Sequence, residues 1–404
     1  MGSVTAAPGN VSTTPVIILL ALAAFASASA FRICDPLLPV LAAEFGVRTA
    51  QASSAVTFFS IAYGVMQFFY GPVGDRYGKF RTLSCATLGS AGGSLIVAMA
   101  PTLDMVLLGR FIAGATAAGI VPMSMAWIGD HVPYEQRQAT LARFLMGSIS
   151  GLAAGQLLGG IYADTIGWRW AFVSLAVVYL VVGTLLISRR KSVPEKPSES
   201  GAGSKLLAPI KQVFSVPWAR VVLLTVFIEG ALVFGALAFV PAFLHEYRGL
   251  PVSWAGAIGG LFALGAMIYA VRANQWVAFL GERNLVLAGG AMLVLAYATF
   301  WLTSGMVWAV LASMMCGLGY YLMHAVMQTN ATQMAPATRG TAVSLFASFL
   351  FLGQSLGVTG AAFLVDVAGL AAVFPVAIAT IPLLAGAFAW RLQQRKSLKL
   401  AGLA

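Results

Sequence analysis

Four ionisable side chains stand within long apolar runs of this sequence, and any chemistry is expected there. Arg32 and Asp35 lie three residues apart in Phe31-Arg32-Ile33-Cys34-Asp35-Pro36, while Arg110 and Glu229 fall in two further runs. A charge at the centre of a bilayer costs about 2.5–3.5 kcal/mol on insertion scales, so all four are expected to face a protein interior. A buried carboxylate beside an arginine can take up and release a proton, because burial and the neighbouring guanidinium pull in opposite directions. Arginine keeps its proton at working pH, so Arg32 and Arg110 would bias a carboxylate rather than titrate, and Asp35 is the expected partner of Arg110. A permanent Arg32–Asp35 pair that only eases insertion is the competing explanation. Glu229 is read as a second proton site, a contact for a cationic substrate, or an acid satisfied by a polar neighbour in the other half. The histidines, His131, His245 and His324, are scattered, and neither H-E-x-x-H nor a nucleophile with its base falls at membrane depth, which argues against a membrane-embedded enzyme.

The elements that must position these residues are hydrophobic helices. The chain is 59% hydrophobic and 9% charged, with a mean hydropathy of +0.87, which no soluble core could hide. Apolar stretches of about 20 residues recur, each able to cross roughly 30 Å as a helix. They predict twelve spans near 15–43, 50–71, 82–101, 104–129, 138–162, 169–188, 219–245, 252–271, 284–302, 305–329, 340–365 and 370–390. Segments of alternating polarity, as a barrel would need, are not found. The net charge of +11 does not point to nucleic acid, because basic residues cluster in alternate loops. One side would carry Arg76, Lys79, Arg81, Arg137, Arg143, the basic run 189–220, Arg272, Arg283, Arg339 and the basic residues after 390, whereas the other carries Arg48, Arg169 and Arg248. This bias predicts a multi-pass protein of the cell inner membrane with both termini cytoplasmic. Cys34, Cys85 and Cys316 fall in or at the edge of spans and are read as packing, with no disulfide or metal site. No basic segment precedes the first run, which is therefore read as a retained span.

The one long polar connection, 189–217, is rich in Pro, Ser and Gly and reads as a linker between a first six-span half, 1–188, and a second, 218–404. A single offset superposes Pro39 on Pro241, Glu44 on Glu246, Gly151 on Gly353, Gly155 on Gly357, Asp164 on Asp366 and Phe172 on Phe374. This pattern predicts a duplicated six-helix unit in parallel orientation. Under it Glu229 falls on Ser27, about 12 Å from the level of Asp35.

This organisation, with the charged stretch Gly71–Arg81, resembles the major facilitator superfamily of secondary transporters, in particular its twelve-span drug/proton antiporters. The family's loop after the second span reads G-x-L-a-D-r-x-G-r-k-x-x-l; Gly71, Asp75, Arg76, Gly78, Lys79 and Leu83 match it, Val73 replaces Leu, and the second basic residue is Arg81. The resemblance implies that Asp75 and its basic neighbours form a cytoplasmic latch between the halves in the outward-open state; a topogenic role alone is the alternative. The mirrored stretch Arg272–Arg283 lacks the aspartate. Arg110, Gly114, Ala117 and Ala118 resemble the span-4 motif tied to proton coupling, with Ala113 and Thr116 as departures. Gly151, Gly155, Gly159 and Gly160 resemble the antiporter motif G-x-x-x-G-P-x-x-G-G, with Gln156 in place of proline; close helix packing alone also accounts for the glycines.

The expected fold is therefore all-α and polytopic, with twelve helices in two pseudo-symmetric six-helix bundles. The resemblance implies proton-coupled antiport of small organic molecules by alternating access, without a cofactor, in a monomer that meets lipid, protons and a small-molecule substrate and no nucleic acid. Asp35, Arg110 and Glu229 would carry proton coupling. Arg32, Tyr63, Gln67, Gln156, His324, Gln328 and Gln354 would line the cavity, with Phe59, Trp127 and Met323 as further walls. The rival reading is proton-coupled uptake of an anionic metabolite, with Arg32 and Arg110 as ligands.

Overall fold

The computed structural model describes residues 14–190 and 207–400, and the described residues are helical with no strand. Ten of their segments are long and apolar enough to cross a membrane. One of these, Val252–Leu302, contains two crossings, because its backbone leaves helical geometry at Arg272 and again at Gly281 (φ 70°). A further crossing, Lys79–Ala98, is rich in hydroxyls and glycine. Ser84, Thr87, Ser90 and Ser94 each donate to the carbonyl four residues earlier, at 2.7–3.0 Å, which satisfies the hydroxyls within their own helix. The described residues thus form twelve spans in two halves of six, as the apolar runs predict.

Span 1 comprises Thr14–Arg32 and Leu38–Phe45; span 2 is Thr49–Tyr77, span 3 Lys79–Ala98, span 4 Leu103–His131, span 5 Tyr134–Asp164 and span 6 Arg169–Arg189. A short helix, Leu207–Ser215, precedes span 7, Pro217–Glu246. Spans 8 and 9 share Val252–Leu302, span 10 is Met306–Gln333, span 11 Arg339–Ala368 and span 12 Val373–Leu400. Of the expected linker 189–217, residues 191–206 lie outside the described residues, as do 1–13 and 401–404 of the two expected halves.

The stretch Gly71–Arg81 is not a loop. Span 2 stays helical through Tyr77 and span 3 begins at Lys79, leaving Gly78 (φ 92°) as a one-residue turn that the left-handed backbone region reserves for glycine. The helix continues through Gly71, Pro72 and Gly74, all poor helix formers, so packing rather than propensity holds it: a methyl added at Gly74 would lie 2.3 Å from Met123 Sδ of span 4.

The duplication is visible in the backbone. Span 1 breaks over residues 33–37, where Pro36 and then Pro39 remove amide donors; span 7 changes to a π-turn at Gly230–Phe234 and breaks at 238–239, ahead of Pro241. Each break sits beside a close helix pair. A methyl group added at Gly147, Gly151, Gly155 or Gly159 would lie 2.3–2.6 Å from the carbonyl oxygen of Ala21, Phe25, Ser29 or Ile33, so span 5 meets span 1 at four-residue steps, backbone to backbone. Gly353 and Gly357 press span 11 onto Phe227 and Ala231 of span 7 in the same way. Between the halves, span 2 runs along span 11 and span 5 along span 8.

Replacing Gly155 with Leu is expected to lower stability by about 1–3 kcal/mol through overpacking, whereas Gly360→Ala, with open space around it, should be silent. Thermal unfolding of the purified protein checks the pair, and equal melting of the two variants would contradict this packing.

Candidate functional site

A cavity of about 370 Å³ lies between the halves. Its polar lining includes Ser27, Arg32, Gln67, Ser148, His324, Gln328 and Gln354, and its walls include Phe31, Tyr63, Phe234, Phe262, Tyr320 and Phe351. Tyr63 stands 4.2 Å from Phe351, centroid to centroid, so rings from spans 2 and 11 close one wall. Among the described residues the lining contains no carboxylate. Both buried acids stand one residue back from the cavity, each behind a basic group that does line it.

Asp35 is fully buried. The helix of span 1 ends at Arg32 and a turn leads to Asp35, and within it Arg32 Nη1 donates to Asp35 Oδ2 at 2.8 Å. The same oxygen accepts from Gln156 Nε2 at 3.0 Å, while Asp35 Oδ1 has no hydrogen-bond partner. Arg32 reaches across the interface, its guanidinium carbon 4.9 Å from the Phe234 ring centroid and 6.0 Å from that of Phe262. Such cation–π contacts compensate a desolvated charge without a second carboxylate.

Arg110 does not bond Asp35. Its Nη1 donates to the Ala30 carbonyl at 2.7 Å and its Nε to that of Ala55 at 3.1 Å, and it stacks 4.1 Å from the centroid of Phe59. Ala30 lies just before the break in span 1, where the helix cannot satisfy its own carbonyls, and a forked guanidinium can. Arg110 therefore joins spans 1, 2 and 4, and its charge acts on Asp35 through space.

Glu229, also fully buried, accepts from or shares a proton with His324: Glu229 Oε2 and His324 Nδ1 are 2.7 Å apart, and Oε1 has no hydrogen-bond partner. The partner belongs to the same half, whereas one of the three readings of Glu229 placed it in the other half. His324 lies flat on Tyr320, with 4.7 Å between ring centroids, and faces the cavity. The π-turn that starts beside Glu229 resets the direction of span 7 at this point.

Among the described residues, several polar links join the halves on the side of the cavity that carries Arg48. Arg48 pairs with Asp366 at 3.0 Å, Thr49 Oγ1 donates to Glu246 at 2.9 Å, and the Ser253 amide donates to Asp164 at 2.7 Å. Deeper in, Gln354 donates to Ser60 at 3.2 Å. On the opposite side, which carries Thr14 and Leu400, Asp75 and Arg76 are exposed and Lys79 pairs at 2.6 Å with Asp130 of its own half. The chain is therefore sealed on the Arg48 side.

Of the expected cavity residues, Arg32, Tyr63, Gln67, His324, Gln328 and Gln354 line it. Gln156 stands behind it, Phe59 and Met323 are buried away from it, and Trp127 stacks on His131 near the far end of span 4. Gly160, read with the span-5 packing glycines, faces span 8 instead of span 1: a methyl there would lie 2.5 Å from the Val252 carbonyl oxygen. Sequence reasoning missed Phe234, Phe262 and Tyr320 as walls and Asp164 and Asp366 as seals. The repeat had paired the two aspartates at the ends of spans 5 and 11, and that pairing was the signal for a shared role.

Twelve helices in two repeated halves around a central cavity, with ionisable groups at membrane depth, define a polytopic transporter. A sequence profile of the Major Facilitator Superfamily matches residues 20–358, and the chain belongs to that superfamily. It is 27% identical over 346 residues to the uncharacterized MFS-type transporter YceJ of Bacillus subtilis (strain 168), covering 82% of this chain and 84% of YceJ. It is 27% identical over 162 residues to the quinolone resistance protein NorB of Staphylococcus aureus, a match covering 40% of this chain and 34% of NorB. Solved structures of like fold include the POT family transporter PepTSo (TM-score 0.76, 14% identity, 94% of this chain and 98% of that one). Another is a bacterial homolog of the human lysosomal transporter Spinster, inward-facing and unoccupied (TM-score 0.74, 17% identity, 97% and 99%). A mutant of the nucleoside transporter NupG is similar as well (TM-score 0.75, 15% identity, 92% and 98%). At these identities the structural likeness is one of fold.

Arg110→Lys is expected to cost about 1–3 kcal/mol, since an ammonium cannot hold both carbonyls and the ring face at once. Thermal melting of the detergent-solubilised protein reads this, and an unchanged midpoint would mean that the two carbonyl bonds contribute nothing.

Proposed function

We propose that the chain exports small organic molecules in exchange for protons, by alternating access between the halves 1–188 and 218–404. The observation that carries this reading is the Arg32–Asp35 pair, in which one guanidinium both holds a buried carboxylate and faces the cavity. A molecule entering the cavity meets Arg32 directly, and whatever it does to Arg32 changes the stability of the charge on Asp35. Protonation and occupancy are thereby linked without Asp35 touching the cargo. Glu229 and His324 repeat the arrangement in the second half, and we assign them a second proton-handling role.

The aromatic walls suit flat, partly apolar molecules, and the likeness to NorB supports efflux as the direction. The charge bias of the loops supports an inner-membrane protein with the Thr14 side in the cytoplasm, and a monomer suffices. The structure then corresponds to an inward-facing state. In that state the latch ascribed to Asp75 is open, which fits its exposure.

One observation favours the second reading, proton-coupled uptake of an anion. The charged or chargeable groups that line the cavity are Arg32 and His324, with no carboxylate beside them. Arg110, engaged with backbone carbonyls, would not be a ligand in either reading.

Proteoliposomes with an imposed pH gradient separate the two. Under the export reading, quinolones or lipophilic dyes move against the proton flux, and Asp35→Asn abolishes gradient-driven movement while substrate exchange without a gradient persists. Cargo moving with the protons would replace export by co-transport, and full coupling in Asp35→Asn would remove Asp35 from the mechanism.

Asp75→Asn is expected to raise the inward-facing population without changing ligand affinity in that state, read by cysteine accessibility on each side. Unchanged accessibility would leave the stretch a topogenic role alone.

A further inference from the structure

We infer that Gln156 is the positioning residue that ties the protonation of Asp35 to closure of the seam between span 5 and span 8. The inference rests on the reading of Asp35 as a proton-linked carboxylate and adds to it a route to the moving interface. The residue stands where the glycine motif of span 5 would otherwise carry proline, which has no side-chain donor or acceptor.

Gln156 is buried, and its two ends do different things. The side-chain Nε2 donates to Asp35 Oδ2 at 3.0 Å, within the first half. The rest of the residue forms the seam with the second half. A methyl added at Gly259 of span 8 would lie 2.7 Å from Gln156 Oε1, and one added at Gly256 would lie 2.4 Å from the Gln156 backbone oxygen. Gly259 leaves room for the side-chain amide and Gly256 for the backbone carbonyl. Gln156 Oε1 and Asp35 Oδ1 are both buried and both lack a hydrogen-bond partner. A polar network with one open acceptor on each member is incomplete for the carboxylate form.

A primary amide serves either form of its neighbour. It donates through N–H to a carboxylate, and after turning over it accepts through C=O from a carboxylic acid. When Asp35 takes up a proton, its new O–H needs an acceptor, and the open Oε1 of Gln156 is the one at hand. Turning the amide puts the NH2 group where Oε1 now rests on Gly259, changing the fit of span 5 against span 8. The charged and titratable groups around Asp35 are Arg32 and Cys34 on its own span and Arg110 from span 4; from span 5 it meets Gln156. Arg32 and Gln156 both touch Asp35 and lie against the opposite half, and Gln156 is the one of the two that does so on the seam of span 5 with span 8.

The test uses the full chain in nanodiscs, with the exposed Cys85 replaced by Ser and spin labels at Ile166→Cys and Leu302→Cys, exposed positions of the two halves on the Arg48 side. The distance distribution between them is recorded across a pH series, with no substrate needed. The wild-type distance distribution is expected to shift as pH falls, and Asp35→Asn to lose the response. Gln156→Leu, which keeps the volume and removes donor and acceptor, is expected to lose it too, and the double variant to show no further change. Gln156→Asn, too short to span both contacts, gives the same reading should the leucine variant fail to fold. Gly259→Ala, which crowds the amide from the other side, is expected to weaken the response with Asp35 and Gln156 intact. A full response in Gln156→Leu or Gln156→Asn, alongside its loss in Asp35→Asn, overturns the role of Gln156 alone. A response that survives Asp35→Asn, or is absent in wild type, overturns the underlying reading of Asp35 and this inference with it.

Discussion

A charge placed in the interior of a membrane has to be compensated by the protein, because neither lipid nor water is there to do it. Asp35 finds its counter-charge three residues away, on the same span, and the break in the helix brings the two together at 2.8 Å. Glu229 takes its partner from span 10, ninety-five residues on. Arg110 hydrogen-bonds neither acid and is held by two carbonyls and a ring. Each arrangement fixes the helices that supply it, so the positions of spans 1, 2, 4, 5, 7 and 10 around the cavity follow from satisfying three buried charges.

The cavity gains its character from the same requirement. Because the acids are held behind Arg32 and His324, what an incoming molecule meets is basic and aromatic rather than acidic. Phe234 and Phe262 face Arg32 from the second half, so the charge that neutralises Asp35 is also one of the contacts between the halves. Separating the halves would remove those rings from Arg32 and leave Asp35 as its main compensation.

Much of this was legible in the sequence, for a physical reason. Span count follows from the length of apolar runs, and the duplication follows from one constant offset, which the paired breaks near Pro39 and Pro241 and the paired glycine contacts of Gly151 and Gly353 bear out. Arg32 and Asp35 could be paired because they are neighbours in the chain. Gln156 with Asp35, and His324 with Glu229, could not, since their meeting depends on how helices far apart in sequence are packed. The helical nature of Gly71–Arg81 was hidden as well. Glycine and charge suggest a loop, but only Gly78 has a backbone that leaves the helix there.

The stepwise contact of span 5 on span 1 also bears on how the chain is made. Spans enter the bilayer in order, so the carbonyls of Ala21, Phe25, Ser29 and Ile33 wait until Gly147, Gly151, Gly155 and Gly159 have been synthesised and inserted. During that interval span 1 carries Arg32 and Asp35 as a self-contained pair and can wait in lipid at reduced cost. Span 7 has no such provision, since Glu229 enters before His324 exists. Until span 10 is in place, the Glu229 carboxyl lacks the side-chain partner that it has in the folded chain.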